Sequence, residues 1–539
     1  MVNTIDEAPQ NTRIPFWRLV FAQGCITENI ANHSYSGTGT EEDPFEVSWL
    51  ANDIRNPMNF GNVLKWALTL LVGLDTFAIA LVSSAYSGSV NEIIAEFRIS
   101  EEIALLGISL FVVGFAVGPL IWAPLSEIYG RRYILIASAV GLTGFAAGSG
   151  GSQDIWTLII LRFFAGSLGS APFAVAGGVI ADSFPTISRG LASGLFCAAP
   201  FLGPTVGPIV GGFLSELAGW RWVEYMVAIV AGVLGVAMIF LLPETYAPVL
   251  LQKRASHLSK KTGKIYRSKL EIEQGKKNIG LVLKVALSRP WVLLFCEPIV
   301  LLLSIYLSIV YGILYLLFAA MPIVYQLERG WSEGVGGLSF LGILVGIMLS
   351  TVTIFPIYFN YKKKSLAATG LLAPEERLPP AFVGAVSLTV GLFWFAWSNS
   401  PSIHWMASIA AGVPIGYGMI MVFLPTLNYL IDAYTIYAAS VLAANASLRS
   451  LFGAAFPLFT TYMYEALGIH WATSVTAFLA LACMPMPFIF YKYGPAIRQR
   501  CHYAAQSEAF MKKLYGRSQE KPKDTESKVS DGNDNATSE

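Results

Sequence analysis

The feature that most constrains the fold of this chain is a series of long apolar runs separated by short polar loops. A helix needs about 20 residues to cross the hydrocarbon core of a bilayer, and most of these runs reach that length. In lipid, backbone polar groups must bond within their own segment, so such runs fold as helices. The runs predict twelve membrane helices, at about residues 63–86, 103–125, 133–147, 155–180, 191–214, 225–242, 292–324, 335–358, 381–397, 403–431, 438–464 and 471–491.

The composition is that of a membrane protein. Of the 539 residues, 54% are hydrophobic and only 13% are charged, whereas soluble domains carry about a quarter charged residues. The net charge of +1 gives no reason to expect nucleic-acid binding. The five cysteines are scattered without ligand spacing, so we expect neither a disulfide framework nor a metal site.

A polar, basic segment divides the apolar runs into two groups of six. We therefore expect an all-α membrane protein of two pseudo-symmetric six-helix halves, residues 61–242 and 290–493, joined by a cytosolic central loop at 243–289. Residues 1–60 are expected to form a cytosolic tail, and the charged residues 494–539 a disordered cytosolic tail. In carriers built from two such halves, the ligand site lies at their interface near the bilayer midplane.

Basic residues concentrate in the loops on one side of the predicted bundle. Only Arg98, Arg221 and Arg329 occupy the other side. The positive-inside rule then places the basic loops and both termini in the cytosol. We expect the plasma membrane, with the vacuolar membrane as the alternative. The basic loops carry Arg131, Arg132, Arg189, Lys362, Lys363, Lys364 and Arg377, besides the many lysines of the central loop.

No pattern of a common catalytic or nucleotide-binding site occurs in the sequence. It lacks a Gly-x-x-x-x-Gly-Lys-Ser/Thr phosphate loop, a Gly-x-Ser-x-Gly nucleophile elbow and a His-Glu-x-x-His metal motif. We therefore expect no enzyme, no bound cofactor and no ATP-driven pump.

A glycine-proline stretch lies in the fifth apolar run. Its glycines recur every four residues, so they share one helix face that another helix can approach closely. Its prolines remove backbone donors and predict a bent or locally unwound helix. Two interpretations stay open, a simple packing seam and a helix that lines or seals a transport path. The stretch contains Gly203, Pro204, Gly207, Pro208, Gly211 and Gly212.

Ionisable residues inside the apolar runs are candidates for proton coupling, because each costs about 2.5–3.5 kcal/mol at the membrane centre. Asp75 lies deep in the first run and Glu297 near the start of the seventh, while Arg162 and Arg449 lie in the fourth and eleventh. A structural hydrogen bond, a proline kink at Glu297 or a structural ion pair is the alternative for each. Glu224, Asp182 and Asp432 lie near predicted helix ends, where solvation is the simpler expectation.

Aromatic residues in the second half predict the substrate cavity. A cavity lined by aromatic rings with few fixed charges suits bulky, apolar or amphipathic ligands. Ordinary helix packing is the alternative for any one ring. The predicted cavity residues are Tyr306, Tyr311, Tyr315, Tyr417 and Asn445.

Short motifs in a fixed order carry a family resemblance. Residues 123–132, Ala-Pro-Leu-Ser-Glu-Ile-Tyr-Gly-Arg-Arg, resemble the loop signature of the major facilitator superfamily, with Ala123 and Glu127 departing from it. Arg162 with Gly166 and Gly169 resembles a further element of that superfamily, and the glycine-proline stretch resembles its drug:proton antiporters. Residues 56–59 (Asn-Pro-Met-Asn), 74–77 (Leu-Asp-Thr-Phe) and 243–246 (Pro-Glu-Thr-Tyr) are similar to the fungal twelve-span branch of these antiporters.

The loop signature predicts a conformational gate built from Glu127, Gly130, Arg131 and Arg132. An acid and two arginines at a helix end can bridge neighbouring helices, since a guanidinium binds carboxylates bidentately. The resemblance implies that this cluster holds one conformation closed on the cytosolic side. The alternative is a charge cluster that only orients the chain.

These observations together predict a secondary transporter. We expect a monomer that exports small hydrophobic or amphipathic compounds, such as drugs, toxins and fungal secondary metabolites, in exchange for protons. A narrow-specificity carrier, such as a polyamine exporter or a metabolite importer, is one alternative. A membrane sensor that transports nothing is the other.

Overall fold

The computed structural model describes residues 15–24, 26–275, 279–367 and 372–520. Within them, eleven stretches are long and apolar enough to cross a membrane. The last stretch, Thr435–Arg500, has 66 residues, or about 100 Å of helix at 1.5 Å per residue, which is far more than one crossing needs. Its helix is broken at Gly468, where φ is 72° and ψ is 166°. A 2.8 Å hydrogen bond joins Tyr464 and Thr473 across the break, so two spans meet there.

The predicted number of twelve spans is therefore confirmed, and we number the spans in chain order. Span 4 continues after Gly169 as the helix Ala171–Ser183, and span 12 continues into Met486–Arg500. The spans are Asn62–Ala85, Glu101–Tyr129, Arg131–Gly150, Ile155–Gly169, Ala199–Ala218, Trp220–Leu241, Pro298–Pro322, Leu341–Ala367, Pro379–Ser398, Trp405–Ala433, and residues 438–467 and 469–483 of the helix broken at Gly468.

The two halves repeat one packing pattern. In the first half, span 1 packs on span 5, span 2 on span 4, and span 3 on span 6. In the second half, span 7 packs on span 11, span 8 on span 10, and span 9 on span 12. Across the interface, span 2 lies along span 11, and span 5 lies against the short helix Glu333–Gly337 that precedes span 8. The predicted all-α fold of two six-helix halves is thus confirmed.

Shorter elements extend both ends of several spans. Glu297 separates span 7 from the preceding helix, so the predicted single run at 292–324 is two helices. The helix before Glu297 also crosses the predicted boundary of the central loop at residue 289. The shorter helices are Phe16–Phe21, Glu28–Ala31, Pro57–Asn59, Tyr86–Ser89, Val90–Phe97, Thr186–Phe196, Ala247–Thr262, Lys269–Gln274, Ile279–Cys296, Ile323–Leu327, Glu333–Gly337, Leu338–Phe340, Pro374–Arg377, Thr435–Tyr437 and His502–Glu520.

The N-terminal tail and the central loop fold together, which the sequence did not predict. Strand β1 (Phe45–Val47) pairs in parallel with strand β2 (Tyr266–Ser268), with Phe45 opposite Tyr266. Arg254 and Asp53 form a buried ion pair of 2.6 Å between the two segments. Each strand is three residues long, and the unit buries a small core. That core contains Ile30, Tyr35, Val47, Ala255 and Leu258.

The expectation of a disordered tail after residue 494 is wrong for residues 494–520. They are helical apart from a break at Cys501, and Cys501 and Ala504 are buried. The backbone N–H of Tyr503 donates to Glu297 Oε1 at 2.9 Å, which anchors the last helix on the second half. The prediction failed because it used the low average hydropathy of this segment, although the segment buries a few apolar residues. Residues 521–539 lie outside the described part of the chain.

Candidate substrate and proton site

Aromatic side chains from both halves meet where spans 1, 5, 7 and 10 converge. The Tyr315 hydroxyl shares a 2.7 Å hydrogen bond with Ser83 of span 1, and the Tyr311 hydroxyl donates to Tyr315 at 3.3 Å. Phe201 of span 5 packs edge-on against Tyr311 at 6.1 Å and against Phe423 at 4.9 Å between ring centroids. We call Phe201, Tyr311, Tyr315 and Phe423 the central aromatic cluster. It crosses the interface between the halves.

Arg449 of span 11 lies against this cluster. Its guanidinium is 4.6 Å from the ring centroid of Tyr311 and 5.0 Å from that of Phe423. The residue is 8% exposed, and in the described part of the chain it has no ion pair, while its Nε has no hydrogen-bond partner. Asn445, one turn away, is 2% exposed and its Nδ2 also lacks a partner. The two residues place unpaired donors beside the aromatic rings.

The other two predicted cavity tyrosines lie elsewhere. Tyr306 is buried in span 7 and close enough to Cys483 of span 12 to interact with it, so it faces the interior of the second half. Tyr417 is half-buried in span 10. Among the described residues, no ring contact or hydrogen bond connects either of them to the central aromatic cluster.

A cleft of about 240 Å³ lies at the end of the bundle that carries the basic loops, which we call the basic end. Its rim is charged, and its inner wall contains Met421 and Leu424, which flank Phe423 in span 10. Gly190 and Gly194 of the first half approach Tyr358 and Ile354 of span 8 beside it. The cleft therefore follows the half interface towards the central aromatic cluster. Its lining includes Gly190, Ile354, Tyr358, Lys364, Arg377 and Met421.

The opposite end of the bundle is closed by hydrogen bonds between the halves. Glu216 Oε2 accepts from the backbone N–H of Gly334 at 3.0 Å. The amide of Asn91 donates to Gln326 at 3.2 Å. The Tyr462 hydroxyl donates to Glu102 at 2.9 Å. The described chain thus has a cleft at the basic end and a seal at the other.

The glycine-proline stretch serves both packing and sealing. A Cβ added at Gly203 would lie 2.6 Å from the Cβ of Ala80, and a Cβ at Gly207 would overlap Ser84 Oγ of span 1. Gly211 approaches Ala85 in the same way, so these three glycines form a seam within the first half. The sequence predicted a bent or locally unwound helix, and local unwinding does not occur, because Ala199–Ala218 is helical throughout despite Pro204 and Pro208. Close packing on span 1 holds this helix together.

Two residues of the stretch instead reach the second half. A Cβ added at Gly212 would lie 2.6 Å from the backbone oxygen of Glu333. A Cβ added at Gly337 would lie 2.5 Å from the backbone oxygen of Pro208. Backbone approaches backbone at this point, and the contact forms part of the seal at the opposite end.

Asp75 is a buried acid without a counter-charge. It lies in the middle of span 1 and is 3% exposed, and its Oδ2 has no hydrogen-bond partner. In the described chain Asp75 belongs to no ion pair. Neither Arg162 nor Arg449 neutralises it.

Arg162 has a carboxylate partner that the sequence did not identify. Its Nη1 donates to Glu224 of span 6, and its Nε donates to the backbone oxygen of Gly107 at 2.8 Å. The guanidinium also lies 4.2 Å from the ring centroid of Tyr86. Glu224 is 2% exposed, so the expectation that it would be solvated near a helix end is wrong. Position along a span does not reveal whether a neighbouring span covers that side chain.

Glu297 lies away from both arginines and is held by hydrogen bonds. Tyr434 donates its hydroxyl to Glu297 Oε2 at 2.8 Å, and Tyr503 donates its backbone N–H to Oε1. Both partners belong to the basic end of the second half. Glu297 therefore connects span 7, span 10 and the C-terminal helix, which agrees with the structural alternative for this residue.

Glu244, which follows span 6, is the acid that organises the signature loop at Gly130. Its carboxylate accepts the backbone N–H of Arg131 at 2.8 Å and that of Arg132 at 3.2 Å, at the positive N-terminus of span 3. Gly130 has a φ of 99°, and a Cβ there would overlap the Glu244 carboxylate. The resemblance of residues 243–246 to an antiporter motif was the available signal for this role.

The arginine side chains of this loop bind other groups of the first half and of the N-terminal tail. Arg131 pairs with Asp182 at 3.3 Å and lies 4.6 Å from the ring of Tyr246. Burial raises the pKa of the Tyr246 phenol to about 12, so the ring is neutral beside the guanidinium. Arg132 donates to the backbone oxygens of Val20 and Ile239 at 2.6 and 2.8 Å.

Glu127 makes no ion pair or hydrogen bond in the described chain. The predicted meeting of this acid with the two arginines is therefore not what the structure shows. Glu244 and Asp182 take that place, because the helix ends of spans 4 and 6 converge on the loop.

A similar cluster closes the basic end of the second half. Arg377, before span 9, pairs with Asp432 at the end of span 10 at 2.8 Å. In the same way Arg131, the first residue of span 3, pairs with Asp182 at the end of the helix that continues span 4. Arg498 pairs with Glu375 at 3.2 Å. Burial raises the pKa of Glu375, and Arg498 opposes that rise. The sequence pattern missed this second cluster because its residues do not follow the loop signature.

The fold consists of two six-helix halves around a central interface, with a cleft at one end and a seal at the other. This arrangement defines the class of protein as a membrane transporter built from two halves. The family model of the Major Facilitator Superfamily matches residues 70–457. The MFS-type efflux pump MFS2 of Trichophyton rubrum is 58% identical over 503 residues, which cover 93% of this chain and 84% of that protein. The chain belongs to the major facilitator superfamily.

Other comparisons agree with this membership. The major facilitator superfamily multidrug transporter mdrA of Aspergillus fumigatus is 57% identical over 504 residues, 93% of this chain and 83% of that protein. The solved proton:xylose symporter XylE bound to 6-bromo-6-deoxy-D-glucose superposes with a TM-score of 0.57. It is 16% identical, with 80% of this chain and 96% of that chain covered, and shows the fold alone. The resemblance to fungal efflux pumps is confirmed, and the chain is a membrane-spanning transporter of small molecules.

Proposed function

We propose that this chain exports small hydrophobic or amphipathic compounds in exchange for protons. Two of its relatives are named as an efflux pump and a multidrug transporter. The observation that carries the proton coupling is Asp75, an acid 3% exposed in the middle of span 1 and without a counter-charge.

The chemistry of Asp75 follows from its surroundings. Burying an isolated carboxylate costs far more than burying the neutral acid, so such a group takes up a proton. When the halves move, water reaches Asp75 from the other side of the membrane. Water solvates the carboxylate, so Asp75 releases its proton. Glu224 differs because Arg162 compensates its charge.

Substrate enters through the cleft at the basic end and reaches the central aromatic cluster. Rings of Phe201, Tyr311 and Phe423 offer flat apolar surfaces from both halves. Release on the other side requires the seal around Gly212 and Glu216 to open and the cleft to close. Movement of one half against the other accomplishes both changes.

The orientation that suits export places the basic end in the cytosol. Basic side chains of the loops before spans 3 and 9 and of the central loop all lie at that end, in accord with the positive-inside rule. We propose the plasma membrane as the site of action, with both termini cytosolic and the monomer as the functional unit.

The energy available to one proton is sufficient for protective export. One charge moving through 100 mV releases about 2.3 kcal/mol. Since about 1.4 kcal/mol corresponds to a factor of ten, this sustains a gradient of roughly forty-fold.

Purified protein in liposomes tests the proposal. A pH difference of either sign across the liposome membrane should drive a neutral lipophilic dye in one direction and protons in the opposite direction. A pH indicator in the liposome lumen measures the movement of protons. Dye flux that does not depend on the pH difference contradicts proton coupling. Absence of any flux with a broad panel of dyes and drugs would favour the sensor alternative, and proton and substrate movement in the same direction would favour an importer.

A further inference from the structure

Three buried arginines of the described chain pair with carboxylates: Arg162 with Glu224, Arg254 with Asp53, and Arg498 with Glu375. Arg449 is also buried but forms no ion pair in the described chain, and its Nε has no hydrogen-bond partner. Its guanidinium lies over the faces of Tyr311 and Phe423. A buried cation without a compensating acceptor is costly.

Asn445, one helical turn from Arg449, also lacks a hydrogen-bond partner for a buried donor. Residues four apart lie on the same face of a helix, so its unpartnered Nδ2 and the unpartnered Nε of Arg449 belong to one surface of span 11. Both residues are more than nine-tenths buried. Two unsatisfied donors, one of them cationic, call for an acceptor that carries negative charge.

The described part of the chain does not provide that negative charge. The titratable groups that interact with Arg449 are Tyr311, Tyr315 and Cys197. Phenols and thiols are neutral near pH 7. Asp75 is not paired with Arg449 in the described chain.

We propose that Arg449 and Asn445 form an anion subsite for the carboxylate of an aromatic acid. The central aromatic cluster holds the ring, and the two donors hold the charged end. The subsite rests on the proposed transport function and defines its substrate class as amphipathic organic acids, alongside neutral compounds that use the rings alone.

A series of neighbouring residues connects the proposed subsite to the cleft wall. Cys197, close enough to Arg449 to interact with it, is half-buried and follows the helix that contains Gly194. A Cβ at Gly194 would lie 3.9 Å from Leu424 of the cleft wall. An acid that enters at the basic end passes Lys364 and Arg377 on the rim, and their positive charge attracts it.

Two probes with the same ring separate charge from shape. 2-Naphthoate and 2-naphthamide are titrated into the full-length protein in detergent at pH 7.5, and binding is measured by calorimetry. The wild-type protein should bind the naphthoate at least tenfold more tightly. Arg449→Gln should remove that difference while naphthamide binding changes less than threefold. Asn445→Ala should lose about half of the preference on a logarithmic scale.

Two further variants distinguish binding from misfolding. Arg449→Lys retains the charge without the planar fork, so it should keep part of the preference. Arg500→Gln makes the same kind of change at an exposed position and should leave both affinities unchanged. Size-exclusion chromatography shows whether each variant is intact.

The outcomes separate the subsite from the transport function. Equal binding of the two probes by the wild type, or a preference that survives in Arg449→Gln, overturns the anion subsite. So does absence of naphthoate binding in protein that still moves a neutral dye along a pH step, and the transport function then stands. Arg449-dependent naphthoate binding in protein without pH-driven flux overturns the proton coupling instead.

Discussion

The guanidinium of Arg162 in span 4 is paired with the carboxylate of Glu224 in span 6, and both side chains are buried in the first half. Their charges compensate each other, and Gly107 and Val82 supply backbone oxygens to the same guanidinium. Asp75 thereby remains the buried acid of span 1 without a partner. The division between a compensated acid and an uncompensated one suggests separate tasks, structure for Glu224 and proton binding for Asp75.

Breaking the Arg162–Glu224 pair should destabilise the protein strongly. Arg162→Gln leaves a buried carboxylate alone, and removing one partner of such a pair costs about 3–5 kcal/mol. Thermal unfolding in detergent should show a large fall in Tm. The double variant Arg162→Gln with Glu224→Gln should recover part of the loss, because no isolated charge remains. A double variant that is worse than the sum of the two single variants would argue against a pairwise role.

Asp75→Asn should abolish pH-driven export and leave ligand binding within about threefold of wild type. The amide keeps the shape of the neutral acid but cannot release a proton. Flux in liposomes and dye binding in detergent measure the two properties separately. Asp154→Asn is the matched control, since Asp154 caps span 4 at an exposed position and asparagine caps equally well. Unchanged pH dependence of flux in Asp75→Asn would exclude Asp75 from the coupling.

Gly212→Leu should slow transport at least tenfold. The new side chain would collide with the backbone of Glu333 and Gly334, so the seal at the opposite end could not close. Overpacking of this kind costs about 1–3 kcal/mol. The added side chain therefore destabilises only the conformation in which the seal is closed. Gly73→Leu is the control, because nothing lies within 4 Å of a Cβ at Gly73. Equal flux in both variants would show that the close contact at Gly212 is not needed.

Glu244→Gln should lower stability and transport, whereas Glu127→Gln should change both little. Glu244 accepts four backbone N–H groups, including those of Arg131 and Arg132, and hydrogen bonds to charged groups contribute about 1.5–3 kcal/mol each. Glu127 has no such bonds in the described chain, and a change at such a position stays within about 0.5 kcal/mol. Unfolding curves measure the stability of the two variants, and dye flux in liposomes measures their transport. The reverse order of effects would restore Glu127 as the acid of the gate.

Much of the fold could be predicted because hydropathy is a local property. The apolar runs located all twelve spans, and Gly468, which breaks the longest helix, fell between two of the predicted runs. The N-terminal and C-terminal segments escaped prediction, because they become ordered through contacts with distant parts of the chain. Phe45 pairs with Tyr266, and Tyr503 is anchored by Glu297.

Three of the predicted site residues, Asp75, Arg162 and Arg449, are buried within membrane spans in the structure, and their roles stay predictions. The sequence could not say which of them would be paired. Arg162 pairs with Glu224, which is 62 residues away, and the Arg131 side chain pairs with Asp182 at a separation of 51 residues. The sequence by itself determined where the chain crosses the membrane and which ionisable residues lie deep within its apolar runs. The tertiary structure alone decided which charges are compensated, because electrostatic energy depends on distances in space that hydropathy along the chain does not encode.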